Sequence, residues 1–195
     1  MQARTVTEEA RRSQIVDAAI AVIAESGYPK ATFAEIARRA GLSSTGLISY
    51  HFAGKEDLIT QVAWTVMQRI GGYMTAVVGA EQTPSAKLRA YIVGNVTFIA
   101  EHRADMKALL EIVLNGALKY DATDAQRVLS PLEQILADGQ RAGEFRDFDV
   151  RVVASAVQRS LEGVQMLLEA HPDLDPKAYA NELVTVFDLA TRASR

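Results

Sequence analysis

Residues 32–58 read TFAEIARRAGLSSTGLISYHFAGKEDL, and the fold turns on them. Thr32 and Glu35 have the spacing of a capping box. The threonine oxygen accepts from the backbone amide three residues on, and the glutamate reaches back. A short helix follows and stops at Gly41. Two short helices that cross closely need a small residue at the contact and, four positions later, a residue tolerant of positive φ. Ala37 and Gly41 stand at those places, with Ile36, Ala40, Leu42 and Ile48 as apolar plugs. The second helix fits Ser44 to His51, and its outer face is left small and polar: Ser43, Ser44, Thr45, Gly46 and Ser49. Such a helix-turn-helix can lie deep in a DNA major groove, offering hydroxyls and amides to phosphates and base edges. No Lys or Arg occurs between Arg39 and Lys55, so that helix lacks the bidentate guanine contact. Small polar groups, the Leu47 side chain on thymine methyls, water and DNA shape are expected to do the reading.

The helical period continues on both sides. Ile15, Ala18, Ala19, Val22 and Ile23 form a stripe that ends at Gly27-Tyr28-Pro29. Acidic Glu56 and Asp57 open a longer helix through Leu58, Ile59, Val62, Val66, Met67 and Ile70, as the helix dipole favours. Gly71-Gly72 weakens this signal and, like Gly139 to Gly143, reads as a helix break. Further stripes begin at Leu88, Met106, Val128, Val153 and Leu183; the fourth runs through Val157, Leu161, Val164 and Leu168. The expectation is an all-α chain of about nine helices. A three-helix domain over residues 1–53 precedes a larger helical domain over 54–195.

Composition narrows the function. With 49% hydrophobic and 23% charged residues, the chain is ordinary for a globular protein and can bury a sizeable core. It has no cysteine, which removes disulfides, a thiol nucleophile and thiolate metal sites. The net charge of −3 gives no global basic field, although residues 1–60 balance seven Lys/Arg against seven Asp/Glu. No signal peptide or bilayer-length apolar run is read, so a cytoplasmic location is expected. His51, His102 and His171 lie far apart without metal-ligand spacing, and no phosphate loop or nucleophile elbow occurs. We therefore expect no enzyme activity, no cofactor and no metal.

Ala37 with Gly41, the run Thr45-Gly46-Leu47-Ile48-Ser49-Tyr50-His51-Phe52, and Lys55-Glu56 with Leu58 together resemble the TetR family of bacterial transcriptional repressors. The spacing from Gly41 to Phe52 is one residue longer than is commonest there, which leaves Ser43 and Ser44 as alternative caps of the recognition helix. The resemblance implies phosphate contacts from Thr32, Ser44, Thr45, Tyr50, His51 and Lys55. It also implies base-edge approach by Leu47 and Ser49, and close backbone approach at Gly46. It further implies a homodimer on double-stranded operator DNA and a small-molecule effector of unknown identity that swings the fourth helix. A helical regulator controlled by a protein partner is the alternative.

Within the larger domain, an apolar effector cavity is expected from Trp64, Met67, Phe98, His102, Met106 and Met166, with Asn95 or Asn115 as orienting polar groups. The stripes Val153–Leu168 and Leu183, Val186, Phe187, Ala190 are expected to meet their copies across a two-fold axis as a four-helix bundle.

Overall fold

A computed structural model describes residues 6–118 and 122–193. Ten α-helices and one 3₁₀ turn, Tyr28–Lys30, make up the regular structure of these residues. The helices are α1 Val6–Ser26, α2 Phe33–Arg39, α3 Gly46–His51, α4 Lys55–Gly79 and α5 Pro84–Glu101. They continue as α6 Arg103–Leu114, α7 Ala122–Arg141, α8 Val150–Glu162, α9 Val164–Ala170 and α10 Pro176–Thr191. The all-α expectation holds. The tenth helix arises because the Val153–Leu168 stripe is carried by two helices joined at Gly163, which caps both. The apolar row crosses that joint unbroken: Val157, Leu161, Val164 and Leu168 are all buried.

Of the two glycine readings, Gly71-Gly72 is corrected, and the break at Gly139 to Gly143 holds but is narrowed to its last glycine. Gly71 and Gly72 lie inside α4, which continues to Gly79. Gly139 lies inside α7, and a Cβ there would fall 2.0 Å from Cδ2 of Phe145. It is a packing glycine that admits a phenyl ring against the helix. The stop comes at Gly143, whose φ of 71° lies in the left-handed region.

The chain divides into two compact bodies. The first joins Met1–Arg69 with Arg103–Lys119. Ile15, Ile23, Ile36, Ile48, Leu58, Ile59 and Ile112 are fully buried in it. Each contributes about 1.5–3 kcal/mol by leaving water. Arg69 ties this body together by reaching Asp17 of α1 and, at 2.9 Å, Asp105 of α6. The first body thus includes α6 and the N-terminal part of α4 as well as α1–α3. The second body joins Ile70–His102 with Tyr120–Arg195. Leu132, Leu136, Ile92 and the α8–α9 row form its core. Thr83, Asp149 and Asp175 cap α5, α8 and α10 with side-chain oxygens that accept backbone amides, which settles where those helices begin.

Candidate nucleic-acid interface

The turn between α2 and α3 is built as its chemistry requires. Gly41 has φ 66°, a value that a residue with a Cβ rarely adopts. Its amide and that of Leu42 bond to carbonyls of α2, from Arg38 at 3.2 Å and Ala37 at 2.9 Å. Thr32 caps α2 by accepting from the Glu35 amide at 3.3 Å. Only this half of the capping box forms. Glu35 turns instead to Arg38, which holds its carboxyl below the ordinary range, and the Thr32 amide bonds to the Lys30 carbonyl. The guanidinium of Arg39 is likewise engaged, by Glu25 at 2.6 Å.

Neither Ser43 nor Ser44 caps α3. The residue before its first turn is Thr45, whose side chain makes no capping bond, and the helix begins at Gly46, two residues later than the sequence pattern indicates. Six residues leave one side chain, Ile48, fully buried as an anchor. Ser43, Ser44, Thr45, Gly46, Leu47, Ser49 and Tyr50 are exposed, Tyr50 at 76%. A Cβ at Gly46 would make only an ordinary contact with Ser44, so packing within the chain does not require a glycine there. The exposed Ser49 hydroxyl donates back to the Thr45 carbonyl at 3.4 Å. Tyr50 meets the edge of the half-buried His51 ring, 5.0 Å between centroids.

The end of α3 is fixed by a residue that motif reading missed. Arg12 of α1 donates to the His51 carbonyl, stacks over the Phe52 ring at 4.1 Å, and donates to Gln61 at 3.0 Å. A cation on the last carbonyls of a helix is favourable twice, as a donor and against the dipole. Its sequence signal was its position in helical register with Ile15, Val16, Ala19 and Ile23, the buried side of α1. At the end of α2 a neutral donor takes the equivalent place: Gln14 donates to the Ala40 carbonyl at 2.7 Å.

Lys55 opens α4 beside this face. Its ammonium lies 4.4 Å over the Tyr28 ring and donates to the Tyr28 carbonyl at 3.3 Å. The Tyr28 amide donates to Glu111 of α6 at 3.1 Å. The 3₁₀ turn leading to Thr32 is therefore held from two sides, and Lys55 retains further N–H donors. Thr32 is exposed, and so is Lys30 two residues before it, a basic group that motif reading also passed over.

The residues expected around an effector fall in both bodies. Trp64 and Met67 are exposed on α4, Met106 is half-buried on α6, and Asn115 is exposed just beyond α6; all four belong to the first body. Asn95, Phe98, His102 and Met166 belong to the second. There the structure brings Phe98 and His102 together as a stacked pair, 4.1 Å between centroids, with Tyr73 against Phe98 at 5.4 Å. Asn95 and Asn115 each donate to the carbonyl four residues back, at 2.8 Å. Met166 is 63% exposed. Among the described residues, no group of three or more His, Cys, Asp or Glu is placed to hold a metal ion. No helix among them is long and apolar enough to cross a membrane.

The expected pairing face is corrected by the same geometry. Val157, Leu161, Val164 and Leu168 are covered within the chain, as is Phe187 of α10. The large apolar side chains of α8–α10 that remain exposed are Val152, Met166, Val186 and Leu189. On α10 only Phe187 of the expected stripe is buried, beside Val184; Leu183 is half-buried, and Val186 and Ala190 are exposed.

Residues 15–62 match the family model of bacterial regulatory proteins, tetR family. The HTH-type transcriptional regulator BetI of Serratia proteamaculans is 34% identical over 102 residues, 51% of this chain and 51% of that protein. The chain thus spans about half the length of the curated relatives it matches. Over nearly the whole chain, the fold matches a tetR-family regulatory protein from Rhodococcus (TM-score 0.80, 23% identity, 95% of this chain and 98% of that one). It also matches the fatty acid degradation regulator FadR from Bacillus subtilis in complex with stearoyl-CoA (TM-score 0.73, 25% identity, 89% of this chain and 96% of that one).

Proposed function

We propose, on the premise that the chain belongs to the TetR family of bacterial regulatory proteins, that it is a homodimeric transcriptional repressor released from operator DNA by a small molecule. Residues 1–53 are the proposed DNA-binding domain, and 54–195 the effector-binding and dimerisation domain. A regulator of transcription works where the chromosome lies, in the cytoplasm, and catalyses no reaction. The observation that carries the reading is α3, a helix with one buried anchor, Ile48, and an otherwise exposed polar face. Thr32, Ser44, Thr45, Tyr50, His51 and Lys55 are assigned to phosphates. Leu47 and Ser49 are assigned to base edges, Gly46 to close backbone approach, and Ser43 to the small polar face turned to the DNA.

Dimerisation is assigned to the residues that the chain itself leaves uncovered: Val152 and Met166 on α8–α9, and Val186 and Leu189 on α10. Exposed apolar groups gathered on the last helices of a chain favour a second copy of the same surface. A symmetric dimer requires a palindromic operator with half-sites about 34 Å apart.

A small-molecule effector is supported by the B. subtilis FadR structure, solved with stearoyl-CoA. In the second body, the stacked Phe98–His102 pair supplies a flat aromatic surface and Asn95 a polar group to orient a ligand. Ligand and DNA must prefer different members of a two-state equilibrium, and each then weakens the other by one common factor.

Selection from random double-stranded DNA tests the reading. A palindromic site should be enriched, and its binding should fall steeply with salt. No enrichment over unrelated DNA, with the protein folded, sinks it.

A further inference from the structure

Where α10 packs beside α5, the second body carries a groove of about 440 Å³. None of the residues assigned above to DNA or to the effector lines it. Its floor is apolar and made of buried side chains: Leu88 and Ile92 of α5, Phe145 of the segment between α7 and α8, and Val184 of α10. Backbone bonds hold this floor in place. The Arg146 amide donates to the Thr191 carbonyl at 2.9 Å, and the Ala193 amide to the Glu144 carbonyl at 3.0 Å, which fastens the connecting segment along the end of α10. Gly139 gives the Phe145 ring its seat on α7. A surface so fixed is shaped before any ligand arrives, and filling it costs little reorganisation.

The rim is charged. Arg89, Asp188 and Arg192 are exposed there, two guanidiniums against one carboxylate. Arg89 donates to the neutral Asn181 Oδ1 at 3.3 Å, and among the described residues no carboxylate pairs with it. Arg192 faces Asp188 at 3.8 Å, beyond hydrogen-bond length. The remaining polar groups of the groove are spent. The Ser85 amide and hydroxyl, at the start of α5, donate to the Glu144 carboxylate at 3.0 and 2.5 Å. The Thr185 and Thr191 hydroxyls donate to the Asn181 and Phe187 carbonyls. An anion entering the groove meets guanidinium groups and not the end of a helix.

We propose that this groove binds a small amphiphilic carboxylate, its apolar body on Leu88, Ile92, Phe145 and Val184 and its carboxylate met by Arg89 and Arg192 at the rim. The planar guanidinium fork matches a carboxylate, and such charge-assisted bonds are roughly twice as strong as neutral ones. The floor rewards an alkyl or aryl body, which a small hydrated anion lacks. The volume lies within the roughly 300–1,000 Å³ of small-molecule sites. Leu189, assigned above to the pairing face, stands on the same rim, so a second copy of the chain is the competing occupant.

Magnetic resonance of the full chain, isotope-labelled at its isoleucine, leucine and valine methyls, tests the site. The probes are octanoate and octanol, which share an alkyl chain and differ in charge. Octanoate should shift the methyl signals of Leu88, Ile92 and Val184 saturably, with a Kd below about 1 mM. Arg89→Gln and Arg192→Gln alter exposed side chains, so both variants should keep their helicity. Each should weaken octanoate about tenfold and leave octanol unchanged. No shift at these three residues, the result expected if a second copy fills the groove, overturns the proposal. So do shifts confined to other methyls, such as that of Ile99 near the effector surface. Octanoate affinity unchanged in both variants, or lost in step with that of octanol, overturns the role of the arginines and the proposal with it.

Discussion

α3 and the α8–α9 segment are opposite solutions to holding a helix in place. α3 has six residues, no side-chain cap and one fully buried side chain, and its C-terminal carbonyl is fastened from outside by Arg12. The α8–α9 segment begins with the Asp149 cap and buries a continuous row from Val157 to Leu168, across a break at Gly163. The first keeps nearly all its surface for something outside the chain. The second gives its apolar surface to its own core. A helix too short to be stable alone is positioned by few, strong external contacts, and for that reason its outer face is free of structural duty.

Four sets of substitutions sharpen or break this contrast. The largest effect is expected at the anchor. Ile48→Ala should destabilise the first body by about 2–5 kcal/mol and abolish binding to every DNA sequence, whereas Ser49→Ala should leave the melting temperature unchanged and alter which sequences are preferred. Equal destabilisation by both would mean that α3 is not held by a single side chain. Next, Gly139→Ala in the second body forces the Phe145 ring out of its place against α7. We expect a loss of about 1–3 kcal/mol in urea unfolding, and an unchanged midpoint would show that the ring yields freely. Third, Val186→Arg with Leu189→Arg should convert the proposed dimer to a monomer of 21.2 kDa in sedimentation equilibrium at micromolar concentration, with helicity retained. A dimer that survives moves the interface elsewhere.

The smallest effect is expected from Lys55. Lys55→Ala should weaken operator and unrelated DNA about equally and reduce the salt slope by ~1. Its contact with the Tyr28 ring adds a stability loss of about 0.5–1 kcal/mol, which Lys55→Arg should restore. A change of sequence preference with the salt slope intact would contradict the phosphate assignment.

Trp64 offers an optical check on the effector. It is the single tryptophan, is 55% exposed, and precedes the glycine pair on α4. A ligand that releases DNA should change its emission over the same concentration range.

The helix-turn-helix was legible before any coordinates because its determinants are local. Helical period, the Thr32 cap and the positive φ of Gly41 involve residues within four or five positions of one another. The turn appears where the pattern indicates, and α3 starts two residues late because neither serine is drawn into a cap. Distant neighbours decided the rest. Arg12 lies 39 residues from the carbonyl it holds, and Glu111 lies 83 from the Tyr28 amide. The same residue type is buried under a phenyl ring at Gly139 and exposed with nothing near it at Gly71. A stripe of apolar residues states that one face of a helix is to be buried, but not whether its own chain or a second copy covers it. Only packing answers that, because the hydrophobic effect has no direction and rewards whichever surface arrives.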